Sequence, residues 1–166
     1  MAWYRPMEAW RLRQARRGAC AAIRPLIERS RRRLLDIPDS TWRDPYILGL
    51  LSMLVTLHAR HDDPTLADEP LGLIQAECVA DVTGLHASMA GAEICFLSTS
   101  QNRSFMEGCR QAIDLFAALR DQAVPVSRGL TPPGEDPDLA GSAVGDVWER
   151  LFDAHVASPD PTTDRL

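Results

Sequence analysis

Residues 44–61 read DPYILGLLSMLVTLHARH, and this stretch decides the fold. Asp44 offers a capping carboxylate and Pro45 a first-turn residue whose missing N–H costs nothing there, so a helix is predicted from about Asp44 to His61. Leu48, Leu51, Leu54, Val55 and Leu57 cover more than one stripe, the pattern of a helix surrounded by others rather than lying on a surface. Gly49, Ser52, Thr56 and His58 interrupt the apolar run, which falls short of the roughly 18–20 apolar residues of a membrane span. It is therefore read as the buried central helix of a globular fold.

Downstream, Asp62-Asp63-Pro64-Thr65 ends that helix and Asp68-Glu69-Pro70 repeats the acid-then-proline start. Leu71, Ile74, Cys78, Val82, Leu85 and Met89 then follow one helical face. Ile94, Leu97, Phe105, Cys109, Ile113, Phe116 and Leu119 form another, interrupted by polar residues 98–102. Either one helix or two fits residues 92–122, and Asn102 would cap the second. Residues 124–143 carry four prolines and three glycines and read as an extended connection. Val144, Val147, Trp148, Leu151, Phe152 and His155 predict a short helix over 144–157 that docks on the chain's own body, followed by a fraying tail over 158–166.

Upstream, Ile37–Thr41 is turn chemistry, and before it Trp3, Met7 and Trp10 repeat at helical spacing. The pattern resumes at Ile23, Ile27 and Leu34 with Pro25 inside it, which predicts a kink or a fresh start rather than an unbroken rod. No segment reads as a strand. At 166 residues and 45% apolar composition the chain should be an all-α, single-domain bundle of about five helices over residues 1–123, with a basic N-terminal helical arm over 1–35.

Charge is unevenly placed. Net charge is −5, yet residues 1–35 hold ten arginines against Glu8 and Glu28, a local +8 that leaves −13 for residues 36–166. Such a dipole points to contact with something anionic, whether an acidic partner, a second copy, the acidic remainder of the same chain or nucleic acid. All 18 basic residues are arginine. The absence of lysine excludes P-loop and Schiff-base chemistry, since the first uses a lysine on the phosphates and the second a lysine amine. Cys20, Cys78, Cys95 and Cys109 are widely spaced without a C-x-x-C pair, and the apolar run Ala19–Ile23 is too short for a secretory core, so reduced thiols in the cytoplasm are expected.

Two candidate sites follow. Trp3, Trp10, Arg13, Arg16, Arg17, Arg24, Arg31, Arg32 and Arg33 combine cations with flat aromatic surface, suited to an acidic protein surface or to phosphates and stacked bases. His58, His61 and Asp62 share one end of the central helix and could offer two imidazoles and a carboxylate to a divalent transition metal. H-E-x-x-H, G-x-S-x-G, G-x-G-x-x-G and EF-hand patterns are absent, and no cofactor is implied. The preferred reading is a non-catalytic interaction protein, an adaptor or accessory subunit that binds an acidic protein partner through the arm. The alternative is nucleic-acid binding by the same arm, and a metal site is third.

Overall fold

The computed structural model describes residues 4–123 and 143–157. The expected connection and tail, and Trp3, lie outside the described residues. Five helices precede the connection: α1 (Tyr4–Leu34), α2 (Pro45–Asp62), α3 (Asp68–Thr83), α4 (Ala87–Thr99) and α5 (Arg103–Ala123). After it, α6 (Ala143–Trp148) runs through a π-helical turn, Glu149–Asp153, into Ala154–Ala157. The protein is an all-α bundle; the described residues form six helices and contain no strand.

Helix α2 is the centre, as its composition demands. Asp44 caps it, accepting from the amides of Tyr46 at 2.9 Å and Ile47 at 3.2 Å, a contact worth about 1 kcal/mol. Ile47, Leu48, Leu50, Leu51, Leu54 and Val55 are all buried, which requires neighbours on every side. These are α1, α3 and, most extensively, α5. The α2–α5 crossing is set by two glycines: a Cβ on Gly49 would lie 2.1 Å from the Phe105 carbonyl oxygen, and one on Gly108 would lie 2.1 Å from that of Tyr46. The two backbones touch where no side chain intervenes.

Helix boundaries follow local chemistry. Gly84 ends α3 in the left-handed conformation (φ 83°), its amide bonded to the Ala80 carbonyl, so the expected continuous face from Leu71 to Met89 is broken. Leu85 falls in the link and Met89 on α4 is exposed. Residues 92–122 form two helices. Gln101 takes the left-handed conformation (φ 52°), and the amides of Gln101 and Asn102 bond back to the carbonyls of Ser98 and Leu97, the Schellman pattern. Asn102 then caps α5 through the Phe105 amide at 3.1 Å.

Helix α1 continues through Pro25 as one element, which corrects the expectation of a fresh start there. Proline frees the carbonyl four residues earlier, and here Ala21 and Pro25 both lie on the exposed side of α1, where water satisfies that carbonyl. The expected bundle of about five helices is found: among the described residues five precede residue 124, the polar stretch 98–102 dividing α4 from α5, and the C-terminal helix follows.

Candidate functional site: the arginine face of helix α1

Helix α1 buries Ala15, Ala19, Ile23, Leu26, Ile27 and Ser30 against the bundle, leaving its arginines along the flanks and outer face. The flanks are neutralised from within the chain. Arg11 pairs with Asp63 at 2.7 Å, and Arg16 with Glu77 at 2.9 Å and Asp81 at 2.7 Å. Arg29 pairs with Glu149 at 2.7 Å; Arg33 reaches the same carboxylate and lies 3.1 Å from Asp153. Arg31 donates to the Val82 carbonyl at 2.8 Å while its guanidinium lies 5.8 Å from the Trp42 ring centre. Arg32 donates to the Glu28 carbonyl at 3.4 Å. The acidic body of the chain thus engages much of its own basic helix.

Three expected site residues remain. Arg13, Arg17 and Arg24 are exposed and, among the described residues, form no ion pair or hydrogen bond. At 100° per residue they fall on one side of α1, with Trp10 (56% exposed) at the N-terminal end of the same stripe. Arg13, Arg17 and Arg24 also line an open groove between α1 and α3, together with Arg16, Cys20 and Asp81. The site is therefore narrower than the sequence expectation. Arg16, Arg31, Arg32 and Arg33 belong to the architecture, and Trp10, Arg13, Arg17 and Arg24 form the free surface.

The three metal candidates are not gathered into a site. His58 packs edge-on against Phe116 with ring centres 4.9 Å apart, and His61 meets the same ring at 6.1 Å. Asp62 lies against α1, where a Cβ on Gly18 would come within 2.1 Å of its carboxylate oxygen. Burial pushes the His58 imidazole below its usual value, and no group of three His, Cys, Asp or Glu side chains fit to hold a metal occurs among the described residues. His58 packs on Phe116 with its Nε2 buried and without a hydrogen-bond partner among the described residues, and His61 is exposed.

The sequence reading did not find how the C-terminal helix holds α1. Trp148, fully buried, donates from Nε1 to Ser30 Oγ at 2.7 Å, and Ser30 donates in turn to the buried Asp153 carboxylate. Trp148 stacks on Phe152 at 4.6 Å, and Phe152 lies 6.0 Å from Trp42. His155 stacks on Tyr46 at 4.3 Å and lies 3.1 Å from the Asp44 carboxylate. Glu149 and Asp153 are one helical turn apart in the sequence, and that spacing was the available signal.

These contacts make the docking acid-sensitive. Burial opposes ionisation of Asp44, but hydrogen bonds from His155 and the Ile47 and Tyr46 amides outweigh it and hold the carboxyl below its ordinary range. Hydrogen bonds from Arg29 and then Arg33 outweigh desolvation at Glu149 and lower it likewise. Both folded values lie below the unfolded ones, so their stabilisation is complete above the ordinary carboxylate range near about 4 and is lost as pH falls through the depressed values. The NMR signal of the Trp148 indole N–H, which reports its bond to Ser30, is expected to broaden and shift in that acid window before the α2–α5 amides respond. Simultaneous loss of both sets would show that the docking is not separately titrated.

No family model, curated protein or solved structure matches this chain. Functional reading therefore rests on the residues themselves. No helix among the described residues is long and apolar enough to cross a membrane.

Proposed function

We propose that the protein is a non-catalytic helical interaction protein, an adaptor or accessory subunit in the cytoplasm, whose α1 face receives an acidic segment of a partner protein. One observation carries this reading: Arg13, Arg17 and Arg24 stand unpaired on the face that also bears Trp10, while the arginines flanking them are engaged within the chain. From Arg13 to Arg24 the stripe extends about 16 Å along the helix axis at 1.5 Å per residue, the reach of a short acidic helix or strand. Guanidinium forks accept carboxylates in a planar, bidentate manner, and an exposed tryptophan beside them is the residue type that dominates interface energies. Met7 and Trp10 add an apolar end, so the fitting segment is acidic with an apolar terminus.

A partner protein is favoured over nucleic acid by the carboxylates flanking the stripe. Glu77 and Asp81 border the groove beside Arg16, and residues 36–166 carry a net charge of −13, which opposes a continuous phosphate backbone more than a short peptide.

The test is fluorescence anisotropy at low and moderate salt with two labelled probes, a peptide of repeated Glu-Glu-Leu-Glu-Glu-Trp pattern and a single-stranded oligothymidylate. The peptide is expected to bind, and R13E/R17E/R24E to weaken it by at least about tenfold, a loss near 1.4 kcal/mol, without changing the far-UV circular dichroism. Tighter, steeply salt-dependent binding of the oligothymidylate would replace this reading with nucleic-acid binding. Binding of neither probe, or binding indifferent to the three reversals, would overturn it.

A further inference from the structure

Cys20 on α1 and Cys78 on α3 meet across the helix interface with their Sγ atoms 2.6 Å apart, although 58 positions separate them in the chain. We propose that they form an oxidisable dithiol that closes to a disulfide on reaction with a hydroperoxide, Cys20 being the sulfur oxidised first and Cys78 the one that resolves it.

Three independent features carry this. The first is proximity: the two sulfurs face each other 2.6 Å apart across the interface of α1 and α3, within reach of bond formation. The second is access. Cys20, itself 8% exposed, lines the open groove with Arg13, Arg16, Arg17, Arg24 and Asp81, whereas Cys78 is 1% exposed and points its thiol also toward the Arg16 carbonyl at 3.5 Å. A small oxidant arriving through the groove reaches Cys20 first. The third is charge. The contact with Cys78, helped by Arg16 and Arg24, lowers the Cys20 thiol against the opposing effects of burial and of Asp81, 3.9 Å away. The same contact and burial push the Cys78 thiol up. Thiolate character at a sulfur that lines an open groove beside cations is what makes a cysteine reactive.

The remaining cysteines provide the contrast. Burial pushes the Cys109 thiol up to about 11, and its Sγ lies 3.5 Å from the Gly49 carbonyl at the tight α2–α5 crossing. Cys95 is exposed on α4.

The chemistry balances in two steps. The Cys20 thiolate attacks the terminal oxygen of the hydroperoxide; the O–O bond breaks, an alcohol (or water, from hydrogen peroxide) leaves after taking up a proton, and Cys20 becomes a sulfenic acid. Cys78 sulfur then attacks the Cys20 sulfur. The S–S bond forms, the S–O bond breaks, and the Cys78 proton leaves with the hydroxyl as water. Two thiols lose two electrons and the peroxide gains them. The product ties α1 to α3 beside the arginine stripe.

The experiment uses the full chain carrying Cys95→Ser, so that the exposed thiol cannot cross-link molecules. After brief exposure to hydrogen peroxide, unreacted thiols are blocked with N-ethylmaleimide under denaturing conditions and the intact mass and peptide map are recorded. The expected product takes up a single N-ethylmaleimide, at Cys109, where the reduced protein takes up one at each of Cys20, Cys78 and Cys109; it contains one Cys20–Cys78 cross-link, reverts with dithiothreitol, and melts about 5–10 °C higher than the reduced form. With Cys78→Ser added, dimedone should label Cys20; with Arg24→Gln added instead, cross-linking should slow several-fold. The proposal is overturned if the folded Cys95→Ser chain retains both thiols free for alkylation after peroxide treatment, or if peptide mapping places the first oxidation on Cys78. Neither result depends on a variant of the pair folding.

Discussion

Gly108→Ala will destabilise the bundle by more than about 3 kcal/mol or prevent its folding, as measured by urea denaturation followed at 222 nm. Alanine is intrinsically the better helix former by about 1 kcal/mol, so a surface glycine in a helix gains from this change. At position 108 the added methyl would sit 2.1 Å from the Tyr46 carbonyl oxygen and 2.8 Å from the Leu50 amide nitrogen. Both are backbone atoms of α2, so nothing can rotate away and the helices must separate. Overpacking a well-filled core costs roughly 1–3 kcal/mol even where side chains can yield, and parting α2 from α5 also loosens Ala112 and Leu115, fully buried on α5. Gly49→Ala meets the Phe105 carbonyl in the same way and should match it. Gly72→Ala is the internal control: nothing lies within 4 Å of the added methyl on α3, so stability should rise by up to about 1 kcal/mol. Equal effects at positions 72 and 108 would refute the backbone-contact explanation.

Trp148→Ala is expected to cost about 3–5 kcal/mol, the range for truncating a buried aromatic residue. Trp148 is 0% exposed, stacks on Phe152 and donates to Ser30. Its removal leaves a cavity and takes one partner from a buried hydroxyl that Asp153 still engages. The damage should be local first: amide exchange is expected to accelerate over 143–157 and the second half of α1 while the α2–α5 amides stay protected. Trp10→Ala, at an exposed position, should change stability by less than about 0.5 kcal/mol. If Trp148→Ala were as mild, residues 143–157 would be an ornament on the bundle rather than part of its core.

Helices were legible wherever a local signal and a burial pattern agreed. Asp44-Pro45 marked the start of α2, and the all-round apolar surface of Leu48 to Val55 marked its central place, because both are properties of one segment. Pro25 misled because its effect depends on where the freed carbonyl points, and that is settled by which side of α1 faces water. The left-handed turn at Gly84 was hidden by an apolar spacing that continued past it. The candidate site was half legible. Arginine abundance in α1 was plain, but which arginines stay free is decided by Asp63, Glu77, Asp81, Glu149 and Asp153, brought from other elements by the fold. The Cys20–Cys78 pair was invisible for the same reason: a separation of 58 positions carries no local signature.

The anchoring of α1 by residues 143–157 bears on how a nascent chain matures. Ser30 waits for Trp148 across 118 positions and for Asp153 across 123, and Asp44 waits for His155 across 111. At the usual pace of translation that interval is on the order of ten seconds, during which the Leu26–Ser30 segment of α1 has emerged without the partners that later cover it. Helix α1 is thus completed only after residues 143–157 are made, and the ribosome's speed between them sets how long an unfinished apolar seam stays open to other chains.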